Sequence, residues 1–317
     1  MNIKPLVTIA IPTFNRASYL FKSIHSALNQ TYSNIEVFIS DNASTDETSS
    51  IVELFTDHRL KYHRHDINLG QILNWNHCLN NAQGEYFIML SDDDILEENA
   101  IEVFINEFND RNISLVYSKV KYIDEYDNFT GVSRPSPVYE SGLNFIVKSF
   151  EMSREIFPSA TMHRTDIARQ LGGYPNIGTT TDLALRLSLA VSGAVRHISL
   201  PLVRYRVHQQ SLSFSLESII SSFDQLYNWF ELPKNQQLLC YIKYIAAYKN
   251  NYIYSLGRSQ LLQGSNPQTL SFLSQLALGR TQKFILFLLK FRIVRFIFMT
   301  VRHLKRTYVV FKNKTTV

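Results

Sequence analysis

Three adjacent carboxylates, Asp92-Asp93-Asp94, follow the apolar run Tyr86–Leu90. Carboxylates this close repel one another and are stable together only when solvated or neutralised by a cation. Hard oxygen donors of this kind suit Mg²⁺ or Mn²⁺, ions that commonly bridge to phosphate oxygens. The plain alternative is a solvated acidic helix start, because Asp and Glu favour a helix N-terminus. Asp41 ends a second apolar run, Ile35–Ser40. There its carboxylate can accept hydrogen bonds from a base or ribose, or serve an ordinary turn. Asp182 heads a helical pattern over Thr181–Val191, either as a first-turn acid or as a general base at the mouth of a site. His208 follows another apolar run. A lone histidine is usually structural or on the surface, but a neutral imidazole can also complete a metal shell begun by the triplet.

Other chemistries lack their residues. There is no GxSxG elbow for a serine hydrolase and no Cys/His group with zinc-ligand spacing. With neither GxGxxG nor a Walker loop, phosphate binding falls to a metal or to basic side chains. Cys78 and Cys240 form no CxxC and no disulfide framework, so a reducing compartment is expected.

The elements that would position these residues alternate. Apolar, β-branched Leu6–Ile11 predicts a strand, broken by Pro12-Thr13-Phe14-Asn15-Arg16, and a helix follows to about Leu28. Ile35–Ser40, Leu60–His65 and Tyr86–Leu90 predict further strands, with helices to about Phe55, from Asn68-Leu69-Gly70 to Ala82, and over Glu97–Phe108. Strands alternating with helices imply βαβ units and a mostly parallel sheet, whose ligands sit beyond the carboxyl ends of the strands. The segments there are PTFNR, DNASTD and SDDD, and all are polar. Farther on, Ser114–Ile123, Ala160–Arg164 and Val195–Val207 predict strands and Asp166–Leu171 a helix, with Asp124–Tyr139 read as a loop, either a lid or a surface connection. From Leu216 the pattern is helical.

In this order and spacing, Val7–Arg16, Ser40–Thr48, Asn68-Leu69-Gly70, the acidic triplet, Leu171-Gly172-Gly173-Tyr174, Thr181-Asp182 with Leu185-Arg186-Leu187, and Tyr205-Arg206-Val207-His208 resemble an inverting glycosyltransferase of family 2. The resemblance covers roughly residues 5–213. It implies the GT-A fold, a Rossmann-like, mostly parallel sheet flanked by helices, over residues 1–212. A C-terminal helical region would occupy 213–317. It further implies a nucleotide-diphosphate sugar as donor, with UDP-sugars favoured, and a hydroxyl of a lipid-linked or cell-surface glycan as acceptor. Pro12, Thr13, Asn15, Arg16, Asp41, Asn68, Asp92 and Asp93 would bind the donor. Asp93, Asp94 and His208 would hold Mn²⁺ or Mg²⁺, and Asp182 would be the base. Two positions depart from the pattern: Trp75-Asn76 stands where many relatives carry Arg-Asn, and Thr181 replaces the first acid of a Glu-Asp pair. A catalytically silent protein of the same fold, binding nucleotide sugar or assembling at a membrane, is the alternative.

Over the whole chain of 317 residues, charge divides in two. Residues 1–231 hold all 27 acids against 18 Lys and Arg, a balance of −9, whereas 232–317 hold 14 bases and no acid. Hydrophobic residues at 45% and charged residues at 19% exclude a disordered chain. The N-terminus has no signal-peptide pattern, and no uncharged apolar stretch reaches the ~18 residues of a spanning helix. The basic residues between Lys283 and Arg306 share one arc of a helix, opposite Ile285, Leu289, Ile293, Phe296 and Ile297. That pattern is expected to lie on an anionic membrane through residues 280–306, at the cytoplasmic face. The alternatives are packing on the catalytic part, or a homo-oligomer contact through Tyr241–Tyr254. No nucleic-acid reading motif is present.

Overall fold

The structure is a computed structural model that describes residues 4–151, 154–208 and 216–262. The N-terminal part alternates as expected: β1 (Val7–Thr13), α1 (Ala17–Leu28), β2 (Ile35–Asp41), α2 (Thr48–Glu53), β3 (Leu60–Arg64), α3 (Gln71–Asn81) and β4 (Tyr86–Met89). There follow β5 (Ile95–Leu96), α4 (Ala100–Asn106), β6 (Ile113–Ile123), β7 (Phe129–Val132), β8 (Tyr139–Glu140), α5 (Gly142–Phe150), β9 (Thr161–Arg164), α6 (Thr165–Gln170), α7 (Thr181–Val191) and β10 (Ala194–Arg206). The described chain ends in α8 (Leu216–Phe230), a 3₁₀ run over Pro233–Tyr244 and α9 (Ile245–Leu262).

All ten strands join one sheet, in the order β3-β2-β1-β4-β9-β6-β10-β5, with β7 on β6 and β8 on β10. β1, β2, β3 and β4 pair in parallel, and β6 with β10. β9 runs antiparallel between β4 and β6, which restores β6 to the direction of β4. The long strands other than β9 therefore run one way, giving an α/β fold with a mostly parallel sheet. Both faces are covered, so the strands read as continuous apolar runs. Along β1, Val7, Ile9 and Ile11 face a core shared with α1 and α4, while Ala10 faces a second core shared with α3, α5 and α7. β2 divides likewise, with Val37 and Ile39 in the first core and Phe38 in the second. α1 buries Leu20, Ile24, Ala27 and Leu28, one stripe of its surface.

Two expectations need correction. Asp124–Tyr139 is not a plain loop: β7 hairpins back onto β6, with Lys121 opposite Val132. α5 has no counterpart among the expected elements. Ser141 caps it by accepting from the Asn144 N–H, and Phe145, Ile146 and Phe150 bury its inner face. Val195–Val207, read as one or two strands, is the single strand β10, whose pairing with β6 shifts register around Pro201, which has no N–H for the ladder.

The C-terminal helices pack onto the sheet's second core. Phe223, Leu226, Phe230, Leu238 and Ile245 join the cluster that holds Leu183 and Leu187 of α7. No helix among the described residues is long and apolar enough to cross a membrane. The basic segment 280–306 lies outside the described residues.

Candidate active site

The carboxyl ends of β1, β2 and β4 lie side by side, because the strands are parallel neighbours with Thr13 opposite Asp41. The polar segments following them converge there. The loop after β2 clamps the loop after β1: the Asn15 N–H donates to Ser44 Oγ at 2.9 Å, and Asn15 Oδ1 accepts from the Thr45 N–H at 2.7 Å. Asp46 Oδ2 accepts from the Ala17 N–H, the entry to α1, at 3.0 Å. Asn15 and Ala43 take φ of 52° and 63°, left-handed values that non-glycine residues rarely adopt. Such strain persists where surrounding contacts over-determine the backbone, and this clamp supplies them.

Asp41 is fully buried. Its carboxylate accepts from the Ser44 N–H at 2.8 Å and from the Tyr62 hydroxyl at 2.7 Å, with Arg64 Nε 3.7 Å away. Asn68 reaches this pocket through Asn42, whose side-chain amide donates to Asn68 Oδ1 at 2.8 Å. Asn42 Oδ1 accepts from the Leu69 N–H at 2.8 Å. Ser44, Asn42, Tyr62 and Arg64 lie outside the expected set. Only the alternation of strands and helices could have pointed to them, since their partners are distant in sequence.

The acidic triplet is not a helix start. β5 intervenes and α4 begins only at Ala100, so the helix-terminus explanation lacks its helix. The three carboxylates have different environments. Asp92 is buried, and desolvation, then the Asp93 charge, push it up to about 7 against the pull of Arg16. The Thr13 hydroxyl beside it is buried but makes no hydrogen bond of normal length and angle among the described residues. Asp94 is buried as well, and desolvation, then Asp93, raise it well above the usual carboxylate range. It accepts from Ser159 Oγ at 2.5 Å and from the Arg206 N–H at 2.9 Å. Asp93 Oδ2 lies 2.5 Å from Arg16 Nη1 and 2.9 Å from His208 Nε2. His208 stacks on Tyr19 with ring centroids 5.3 Å apart. Arg16, Asp93 and His208, separated by up to 192 positions in the chain, thus meet at one point.

Arg206 is 2% exposed and braces the triplet from behind. Its Nε donates to the Asp93 carbonyl and its Nη1 to the Asp124 carbonyl, each at 2.9 Å, while Nη2 pairs with Asp127 at 2.6 Å. Its role has no signal in the sequence beyond its place next to Val207-His208.

Asp182 sits apart from this group, in the first turn of α7. Its carboxylate pairs with Arg186 Nη1 at 2.6 Å, one helical turn on, and accepts from the Leu183 N–H at 2.8 Å. It lines a cavity of about 310 Å³ with Arg134, Arg154, Phe157, Phe223 and Tyr252 among the other walls. Tyr205 links the two groups: burial raises its phenol, and the charges of Asp94, Asp93 and Asp182 add to this in that order. At the far end, Asn76 binds the Gly172-Gly173-Tyr174 turn, donating to the Tyr174 carbonyl at 2.7 Å and accepting from its N–H at 2.9 Å. Gly173 has φ +67°, and a Cβ there would come within 2.5 Å of Asn76 Oδ1.

The fold also brings together three histidines that have no ligand spacing along the chain. His63 and His65, at the end of β3, meet His77 of α3 with their ligand nitrogens within 4.8 Å of one another. Linear spacing could not reveal this, because a helix and a strand bring the third residue in. Desolvation, then His65 and His63, lower His77 to about 4.

Residues 8–168, half of the chain, match the family described as Glycosyl transferase family 2. An uncharacterized glycosyltransferase of Rickettsia typhi is 28% identical over 265 residues, 79% of this chain and 82% of its own length. Chondroitin synthase of Escherichia coli is 30% identical over 200 residues, 62% of this chain but 28% of that protein. Among solved structures, S. aureus TarS residues 1–349 in complex with UDP superposes with a TM-score of 0.59 at 18% identity, covering 84% of this chain and 76% of that one. The mannosyltransferase PcManGT of Pyrobaculum calidifontis, in complex with GDP-Man and Mn²⁺, gives 0.55 at 18% identity, covering 93% and 87%.

Proposed function

The chain belongs to glycosyltransferase family 2, and from that premise we propose that it is an inverting enzyme that moves a sugar from a nucleotide-diphosphate sugar, UDP-sugars favoured, to a hydroxyl of a lipid-linked or cell-surface glycan such as a bacterial polysaccharide. The observation that carries this reading is the meeting of Arg16, Asp93 and His208 beside two buried carboxylates, on the side of the sheet where the Asp41 pocket opens.

Carboxylate and imidazole donors suit a divalent cation, and Asp93 and His208 stand 2.9 Å apart. Burial and mutual repulsion hold Asp92 and Asp94 toward their neutral forms, an electrostatic deficit that a bound cation relieves. Asp93, Asp94 and His208 would hold Mn²⁺ or Mg²⁺, and the mannosyltransferase above was solved with Mn²⁺. When bound, the ion neutralises charge developing on the departing diphosphate. The rest falls to the chain's own residues. Asp41 with Tyr62 and Arg64 receives the base, while Pro12, Thr13, Asn15 and Asn68 shape the nucleoside cleft. Asp92 faces the ribose. Arg16 supplies the basic charge that Trp75-Asn76 lacks.

Asp182 takes the proton of the acceptor hydroxyl as that oxygen attacks the anomeric carbon from the face opposite the diphosphate. Arg186, 2.6 Å away, pairs with the carboxylate and fixes its direction. At about 310 Å³ the cavity it lines is at the small end of ligand pockets, suited to one sugar unit against the faces of Phe157 and Tyr252. Asp182→Asn is expected to abolish transfer while donor affinity, measured by calorimetry, stays within about twofold; wild-type turnover in that variant would remove Asp182 as the base. A catalytically silent protein of this fold is distinguished by donor hydrolysis with Mn²⁺ across a panel of nucleotide sugars, which a silent protein does not support. The acidic half and the basic C-terminal half together support a peripheral enzyme on the cytoplasmic face of the membrane, held by residues 280–306.

A further inference from the structure

β3 is the outer strand of the sheet; His63 lies on it and His65 just past its end, two positions on. α3, which packs on β1 and β2, adds His77. The three rings contact one another pairwise, with centroids 4.7, 4.4 and 4.4 Å apart. Plain aromatic packing would bring the rings together with no demand on where their nitrogens point. Here the ligand nitrogens converge as well, all within 4.8 Å of one another. A network behind the rings holds them. Ser40 Oγ donates to Asn74 Oδ1 at 2.6 Å, so its lone pairs face His77 Nδ1 at 2.9 Å and His65 Nε2 at 3.3 Å.

We propose that His63, His65 and His77 form a binding site for a late first-row divalent metal, zinc foremost, separate from the acidic triplet and outside the transfer chemistry. Three imidazoles and no carboxylate favour such an ion over Mg²⁺ or Mn²⁺, which prefer oxygen. Tetrahedral coordination at Zn–N ≈ 2.0–2.1 Å sets ligand nitrogens about 3.3 Å apart, so small side-chain rotations close the set. His63 is exposed, which gives the ion its entry path and leaves a fourth position for water. The site bridges β3 to α3 and so brackets the connecting residues 66–70, whose Asn68 holds Asn42. It also adjoins the nucleotide pocket, since the His65 N–H donates to the Asp41 carbonyl at 2.9 Å. A metal here is a staple that fixes the wall of that pocket.

The test uses the full chain stripped with a chelator and titrated with zinc chloride by calorimetry, then with cobalt(II) while its visible spectrum is followed. Wild type is expected to take up zinc at this site and to show the absorption bands of four-coordinate cobalt. Asp93→Asn is expected to retain both signals. His63→Gln and His77→Gln are expected to bind zinc at least tenfold more weakly and to lose the cobalt bands. His63→Gln changes an exposed side chain, so its melting curve in chelator should match wild type even if His77→Gln folds poorly. Zinc affinity and cobalt spectra unchanged in His63→Gln, or abolished by Asp93→Asn, would overturn the proposal.

Discussion

At the scale of single residues, the site rests on the unequal fates of three neighbouring aspartates. Asp93 meets Arg16 and His208, whereas Asp92 and Asp94 are buried where charge is costly. A cation that stabilises the ionised triplet also stabilises the fold, because it binds only the native arrangement. Saturating Mn²⁺ is therefore expected to raise the melting temperature of wild type. In Asp93→Asn the increase should shrink to less than half, and donor affinity measured in Mn²⁺ should fall at least tenfold. An equal Mn²⁺-induced rise in both proteins would detach Asp93 from the metal. The triplet, Asp41, Asp182 and His208 are legible in the sequence because each stands directly after an apolar run or at a helix start. Arg206, Ser159 and Tyr62 are not, since a buried arginine or serine looks like a surface residue until its distant partner is known. The same limit hides the three histidines, which only the fold brings together from the end of β3 and from α3.

At the scale of elements, the βαβ order was legible through its apolar runs and turn residues, to within one or two residues at most ends. α5 was not. It is only nine residues long and follows a stretch with two prolines, and its inner face shows a period only when Ser141 is taken as the cap. The junction of α8 with the turn before α7 matters most for chemistry. The Thr179 N–H donates to Ser222 Oγ at 2.9 Å, and Thr180 Oγ1 donates to the Ser222 carbonyl at 3.1 Å. Gly178 has φ +66°, and a Cβ there would lie 2.3 Å from Ser222 Oγ. Gly178→Ala must both strain the backbone and push α8 outward, at a cost of about 2–3 kcal/mol. Because Phe223 of α8 lines the cavity beside Asp182, the expected kinetic signature is a raised KM for acceptor with donor affinity intact. A stability loss under about 0.5 kcal/mol in chemical denaturation would show that this contact is not tight.

At the scale of the whole molecule, the balance of −9 in residues 1–231 and +14 in 232–317 separates two tasks. Acid is spent on pockets at strand ends and on ion pairs, such as Glu140 with Arg154 at 2.9 Å. The excess base is attracted to anionic surfaces, an attraction that falls with salt over a Debye length of about 8 Å at physiological ionic strength. Deleting residues 280–317 is expected to abolish sedimentation with anionic liposomes while leaving donor hydrolysis in solution unchanged. Undiminished liposome binding by the truncated chain would place the membrane contact elsewhere.

The guanidinium of Arg206 spans the acidic loop and the turn of the β6–β7 hairpin at once, through the Asp93 carbonyl, the Asp124 carbonyl and Asp127. Lysine keeps the charge but offers a single nitrogen, which cannot reach three acceptors set in different directions. Drift at this position is therefore closed to the usual conservative exchange. The turn of the hairpin is thereby tied to the acidic loop, so a shift in either is passed to the other.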